Sequence, residues 1–120
     1  MTADTEGKRT PLYAIHWQLG ARLIQFGGWE MPVSYRGIIE EHQAVRTHAG
    51  LFDVSHKGEI EISGPGAEAA LQYLTLNDVR PLQAYQLQYS ALCNEAGGLL
   101  DDLTVCRLAA DRFLLIVNAA

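Results

Sequence analysis

Apolar residues recur along this chain with two periods, and the change from one to the other predicts its elements. Leu12, Ile15 and Leu19 stand at helical spacing behind Thr10 as a helix N-cap and Pro11 at the first helical position, and Gly20 is placed to stop that helix. Arg22 to Phe26 is a short apolar stretch, punctuated by Gly27-Gly28, and Trp29 to Val33 reads as an extended segment interrupted by Pro32. Gly37 to Ala49 predicts a second helix, with Ile38, Ile39, His42, Val45 and Ala49 on its apolar side and Glu40, Glu41, Gln43 and Arg46 on its wet side. Gly50 ends it, and Leu51 to His56 forms a loop entering a strand.

From there the period becomes two. Glu59-Ile60-Glu61-Ile62-Ser63 alternates as a strand with one wet face, and Gly64-Pro65-Gly66 is a turn. A third helix spans Ala67 to Leu76 with Ala70, Leu71 and Leu74 inward, closed by Asn77-Asp78. Strands follow over Gln86 to Cys93, Leu99 to Leu108 and Phe113 to Val117. Asn94 to Gly98 is a hairpin loop whose glycines supply positive φ. Without a strict βαβ rhythm, the expected fold class is α+β: an antiparallel sheet with flanking helices. Residues 1–9 are expected to be a disordered lead-in and residues 10–120 one region. The final strand runs almost to the terminus, so the chain is expected to be a truncated piece.

The hairpin has consequences for chemistry. With a loop of Glu95 to Gly98, Cys93 faces Leu100, Ala91 faces Asp102 and Tyr89 faces Thr104. Tyr89 and Asp102 then share a face as diagonal neighbours, while Asp101 points the other way. A carboxylate among small and apolar residues beside an aromatic ring suits hydrogen bonding or proton transfer toward an aromatic ligand with basic nitrogens. Read from the residues alone, an acidic strand start beside a turn stays the simpler account. His48, Asp53 and His56 carry ligand chemistry but no metal spacing, so structural roles are expected and no metal. Tyr13, Trp17, Trp29, Tyr35 and Phe52 are read as packing and helix–loop contacts before a ligand cage. The glycine pairs match no phosphate loop.

Bulk properties narrow the partners. A net charge of −5 with scattered basic residues argues against nucleic acid and against acidic membrane surfaces. No apolar run approaches the roughly 20 residues of a membrane helix. The polar N-terminus lacks a signal or presequence pattern, so a cytoplasmic, bacterial protein is expected. Cys93 and Cys106 fit no zinc or redox motif and are read as half-buried strand thiols.

Several segments in register carry a resemblance. They are Arg9-Thr10-Pro11-Leu12-Tyr13, Phe26-Gly27-Gly28-Trp29-Glu30-Met31-Pro32-Val33, Leu51-Phe52-Asp53-Val54-Ser55-His56, Asn94 to Leu103 with its Asp101-Asp102 pair, and Val117-Asn118-Ala119-Ala120. From Arg9 onward the chain resembles the aminomethyltransferase family, the T-proteins of glycine cleavage systems. The resemblance implies transfer of a one-carbon unit from the aminomethyl-lipoyl arm of the H-protein to tetrahydrofolate, with release of ammonia. It implies Asp102 as the catalytic carboxylate, with Tyr89, Thr104 and Cys106 lining the folate site.

Two departures stand out. Lys57 occupies a position where the family usually has Met in the folate pocket, so it is expected to alter ligand contacts or bind a folate carboxylate. Cys106 stands where an aromatic residue is common. The resemblance also implies relatives roughly three times longer, built as three lobes around a folate tunnel. The chain alone is therefore expected to be inactive and to expose unpaired strand edges. Folate-linked demethylases, the folate lobes of sarcosine- or dimethylglycine-oxidising enzymes, and folate-binding regulatory relatives share these motifs and are the alternatives. The Arg9 to Tyr13 start near the terminus favours the stand-alone T-protein.

Overall fold

The structure is a computed structural model that describes residues 7–119. It divides into two compact units, one through His56 and one over Lys57–Ala119.

The first unit is built on a three-stranded sheet of β1 (Lys8–Arg9), β2 (Arg22–Phe26) and β3 (Trp29–Ser34), ordered β1-β3-β2. The expected disordered lead-in therefore ends early, because Lys8 and Arg9 pair parallel to Trp29 and Glu30; residues 1–6 lie outside the described residues. The apolar stretch and the Pro-interrupted segment are the two arms of a hairpin, with Phe26 opposite Trp29. Its two-residue loop, Gly27-Gly28, has φ of 55° and 81°. Positive φ at both central positions is the mirror-image turn that matches strand twist, and glycine adopts it without a Cβ clash.

Helix α1 (Tyr13–Gln18) starts later than the sequence predicts. Thr10 does not cap it; its hydroxyl is drawn to Asp53 instead. The apolar stripe is also reversed: Leu12, Ile15 and Leu19 are exposed, and His16 is the buried residue of this helix. Helix α2 (Ile38–Thr47) lies inside its predicted bounds. Its start is fixed by Glu41, whose Oε1 accepts the backbone N–H groups of Tyr35, Arg36 and Gly37 at 2.7, 2.8 and 3.0 Å. The helix buries no residue, so the predicted apolar side is open, with Ile39 75% exposed. Among the described residues of this unit, Met31 is the one buried hydrophobic side chain.

The second unit has a conventional apolar core. Strands β4 (Gly58–Ser63), β5 (Leu87–Cys93), β6 (Leu99–Ala109) and β7 (Arg112–Val117) form an antiparallel sheet ordered β4-β7-β6-β5. Helix α3 (Ala67–Leu74) contributes Ala67 and Leu71 to a cluster with Val79, Leu103, Val105, Phe113 and Leu115. The predicted inward positions Ala70 and Leu74 are exposed; the buried pair is Ala67 and Leu71, one turn apart. The helix stops where Thr75 turns extended and bridges Leu92. Asn77 then ties this exit to β5, donating its backbone N–H to Ser90 Oγ at 3.1 Å and its side-chain Nδ2 to the Tyr89 carbonyl at 2.7 Å.

Alternation along β6 sends Leu103 and Val105 into the core, and Asp102, Thr104 and Cys106 to the opposite face. The expected α+β class with an antiparallel sheet is thus what the chain adopts. Each cysteine is a free, half-buried strand thiol, as read from the sequence.

This asymmetry of burial yields a direct expectation. Phe113→Ala, at a fully buried ring, costs about 3–5 kcal/mol. Ile39→Ala, on the open side of α2, stays within about 0.5 kcal/mol. Urea unfolding followed by circular dichroism measures both.

Candidate functional site

The outer face of the second unit's sheet gathers the polar chemistry. β5 and β6 pair with Ala91 opposite Asp102 and Tyr89 opposite Thr104, the register read from the sequence. One pair differs: Cys93 faces Leu99, because a bulge follows Leu92. Asn94 makes the loop compact by accepting the Ala96 and Gly98 N–H groups on Oδ1, at 3.0 and 2.8 Å. Gly97, with φ of 80°, supplies the left-handed step.

The diagonal pair is in contact. Tyr89 Oη donates to Asp102 Oδ2 at 2.6 Å. On the other carboxylate oxygen, Asn118 Nδ2 donates to Oδ1 at 2.7 Å. The same nitrogen reaches Asp101 Oδ1 at 2.9 Å and the Asp102 carbonyl at 3.1 Å. Lys57 Nζ donates to Asn118 Oδ1 at 2.8 Å. Tyr89, Asp102, Asn118 and Lys57 thus form one hydrogen-bonded row. Thr104 sits between Tyr89 and Ile116 on this face, and Cys106 between Leu87 and Leu114.

The charge state follows from the partners. The Tyr89 hydroxyl holds the Asp102 carboxyl below its usual range; limited burial pushes the other way, and Asn118 and the Lys57 ammonium add to the lowering. Reciprocally, donation to Asp102 pushes the Tyr89 phenol up, with burial and the charges of Asp102 and Asp101 adding to it. Asp102 is therefore an anion near neutral pH. It has two donors placed and further lone pairs free. Both side chains lie at the surface: Asp102 and Tyr89 are exposed, Tyr89 by 67%. Such a group accepts an N–H or stabilises a nearby positive charge; it is not a proton donor at pH 7.

Asn118 is the member that residue-level reasoning passed over. Its signal was present in the strand pattern. Leu103 pairs with Val117, so the residue after Val117 must arrive beside Asp102.

The first unit holds a separate polar cluster. Asp53 Oδ2 accepts from Thr10 Oγ1 at 2.7 Å and pairs with His16 Nε2 at 2.8 Å, while Oδ1 accepts the Ser55 N–H at 2.9 Å. In the tautomer that gives Nε2–H to Asp53, His16 Nδ1 accepts from the Tyr35 hydroxyl at 2.7 Å. The Asp53 side chain is 1% exposed. Burial by itself would raise its pKa, but the donors Ser55, His16 and Thr10 outweigh it and hold the carboxyl far below its usual range. The structural role expected for Asp53 is the one it has. His56 edges against Phe26, and His48 pairs with Thr47 Oγ1. The aromatic residues expected to pack are mostly at the surface: Trp17, Phe52 and Tyr35 are exposed, and Tyr13 and Trp29 lie under Arg9 and Lys8. Beside Asp53 a cavity of about 420 Å³ is lined by apolar groups with Tyr35, Glu41 and His56.

Among the described residues no helix is long and apolar enough to cross a membrane. Comparison with known proteins gives a concordant result. Residues 12–120 match the family model of the GCVT N-terminal domain. The chain is 61% identical over 116 residues to an aminomethyltransferase of Desulfitobacterium hafniense (strain Y51), covering 97% of this chain and 32% of that protein. It is 54% identical to an aminomethyltransferase of Halothermothrix orenii, again over 32% of the relative. Among solved structures, the glycine cleavage system aminomethyltransferase T from Bartonella henselae is similar at a TM-score of 0.90 and 45% identity, over 95% of this chain and 32% of that one. The chain spans about a third of the length of the curated relatives it matches.

The depressed carboxyl of Asp53 gives a signed pH dependence. A lowered folded-state pKa contributes stability that is full above the unfolded Asp value of about 3.9 and is lost as pH falls below it. Asp53→Asn costs on the order of 3 kcal/mol at pH 7, because buried donors lose a charged acceptor. Urea unfolding of both proteins is expected to show that difference shrinking steadily below about pH 4.

Proposed function

The chain belongs to the GCVT N-terminal domain family, and on that premise we propose that it is the N-terminal part of a tetrahydrofolate-dependent aminomethyltransferase of a glycine cleavage system. The single observation that carries the reading is the paired arrangement of Tyr89 and Asp102 on the outer sheet face, with both carboxylate oxygens held by donors. The names of the relatives supply the reaction class.

In this reading the donor is an aminomethyl group on the lipoyl arm of an H-protein. The carbon–sulfur bond breaks, leaving a thiolate and an iminium-like carbon. A nitrogen of tetrahydrofolate attacks that carbon, and ammonia leaves as the second folate nitrogen closes on it. The products are methylenetetrahydrofolate, ammonia and the dihydrolipoyl H-protein. Positive charge builds on the transferred carbon and then on the attacking nitrogen. Asp102 lies beside that centre as a fixed anion and accepts an N–H of the folate on a free lone pair. Its hydrogen bonds to Tyr89 and Asn118 prevent it from turning away, so little reorganisation accompanies the step. Tyr89, Thr104, Cys106 and Lys57 line the folate on this face. Cys106, smaller than an aromatic side chain, leaves a wider wall.

The reaction takes place in the cytoplasm, with tetrahydrofolate and the lipoylated H-protein as partners and without metal, nucleic acid or membrane. In this reading residues 10–120 belong to the folate-binding region. The chain has only the Asp102 face of the site, so it does not catalyse transfer by itself.

The test replaces the matching third of the Desulfitobacterium hafniense aminomethyltransferase with this chain. Methylenetetrahydrofolate formation is assayed with aminomethylated H-protein. Turnover is expected in the chimera. Asp102→Asn is expected to lower kcat by about 10²–10³ with tetrahydrofolate affinity kept, the size of one lost electrostatic contact to a transition state. A chimera that binds tetrahydrofolate without turning over, or an Asp102→Asn chimera as fast as its parent, overturns the reading.

A further inference from the structure

We infer that Lys57 is a positioning residue that acts through Asn118, clamping the amide that in turn fixes Asp102; the inference rests on the transferase reading of this face for its consequence in catalysis.

The chemistry of the four groups leaves little freedom. An ammonium only donates and an ionised carboxylate only accepts, whereas an amide does one at each end. Asn118 stands between these two kinds of partner. Its Oδ1 takes the Lys57 ammonium at 2.8 Å, and its Nδ2 faces Asp101 Oδ1 at 2.9 Å and Asp102 Oδ1 at 2.7 Å. A flipped amide would set oxygen against two carboxylates and an NH₂ group against a cation. Each end therefore specifies the same orientation.

The carboxylate end is crowded. The two amide hydrogens serve three acceptors, since the Asp102 carbonyl lies at 3.1 Å from the same nitrogen. The backbone N–H of Asn118 adds a long contact of 3.3 Å to Asp101 Oδ2. The contacts to Asp102 and to Lys57 are exposed, where such bonds open readily, while those to Asp101 are part-buried. A charge-assisted bond on Oδ1 both pins the amide and polarises it, strengthening what its Nδ2 gives to the acids. Lys57 opens the second unit just before β4 and Asn118 follows β7, and the Gly58–Val117 pairing brings them side by side. A methionine at position 57 has no donor for Oδ1. This chain has a lysine where its Asp101-Asp102 pair needs a cation and where the amide needs a partner.

The titratable groups that face Asp102 are Tyr89 from β5, Asp101 from β6 itself, and Lys57 ahead of β4; β7 leads into the uncharged Asn118. Lys57→Met is expected to raise the Asp102 titration midpoint, read by side-chain ¹³C NMR of the aspartate-labelled chain. It is also expected to collapse the distinct Asn118 side-chain NH₂ resonances toward those of a free amide. Lys57→Arg restores both. The decisive comparison is made in an Asn118→Ala background. A clamp that acts through the amide loses most of its effect on Asp102 there, so Lys57→Met and Asn118→Ala are non-additive. A bare charge acting through space would shift Asp102 equally in both backgrounds, and that result overturns the inference. So does an Asp102 titration unchanged by Lys57→Met.

In the chimera, Lys57→Met is expected to lower kcat about tenfold, with a smaller change in KM for tetrahydrofolate, since Lys57 also borders the folate. A raised KM with kcat unchanged would show Lys57 gripping the substrate directly and overturn the clamp. The NMR comparison uses no folate. A coupled Lys57–Asn118–Asp102 row in a chimera that does not turn over refutes the transferase reading and leaves the clamp. Turnover without the coupling refutes the clamp alone.

Discussion

The hydrogen-bonded ladder of β6 against its two neighbours is the constraint on which the acidic face depends. Pairing of β6 with β5 brings Tyr89 to one side of Asp102, and pairing with β7 delivers Asn118 to the other. Strand alternation then separates roles within three consecutive residues. Asp101 and Leu103 take the core side, and Asp102 the open side. A slip of one residue would bury Asp102 and expose the core, so the apolar cluster around Phe113 also guards the register of the site. The bulge after Leu92 confines the irregularity of the loop to the end of the hairpin, and the pairs that matter keep their partners.

The two units achieve order by different means. The second has an apolar cluster between α3 and its sheet, the arrangement expected when one sheet face is covered by a helix. The first has little apolar burial among its described residues and is instead centred on Asp53, with Thr10, His16, Ser55 and Tyr35 around it. A buried carboxylate is tolerable only when its lone pairs are filled, and this one receives donors from three positions spread over the unit's sequence, Thr10, His16 and Ser55. Removing one donor leaves a charge that water cannot reach. That is why a polar centre specifies its neighbours more sharply than an apolar one of equal size.

Electrostatics at the outer face run in a consistent direction. Tyr89, Asn118 and Lys57 all favour the charged form of Asp102. Asp101 is next in sequence but is turned toward the core side and held by Asn118, which limits the repulsion between the two carboxylates. The result is an anion with a fixed direction and spare acceptor capacity at an open surface. It suits a reaction in which a cationic carbon passes between two large substrates.

The sequence by itself determined the strand half of this protein and the face on which its chemistry lies. Period two, the glycines of the hairpin and the count of residues between Tyr89 and Asp102 suffice, because a strand's side chains alternate whatever surrounds them. It also marked both helix positions in the first unit through Gly37 and the Thr10 to Gly20 stretch. What it did not contain was which helix side is buried. Leu12, Ile15 and Leu19 read as a core stripe but are open, and His16 is inside, because Asp53, distant in sequence, offers it a charged partner. Thr10 likewise leaves its expected cap for the same acid. Nor did the order of residues reveal that Lys57 and Asn118 meet across 61 positions. Local periodicity is set by backbone geometry that each segment carries with it, whereas the partner of a polar side chain is fixed only when separate strands and loops are brought together in space.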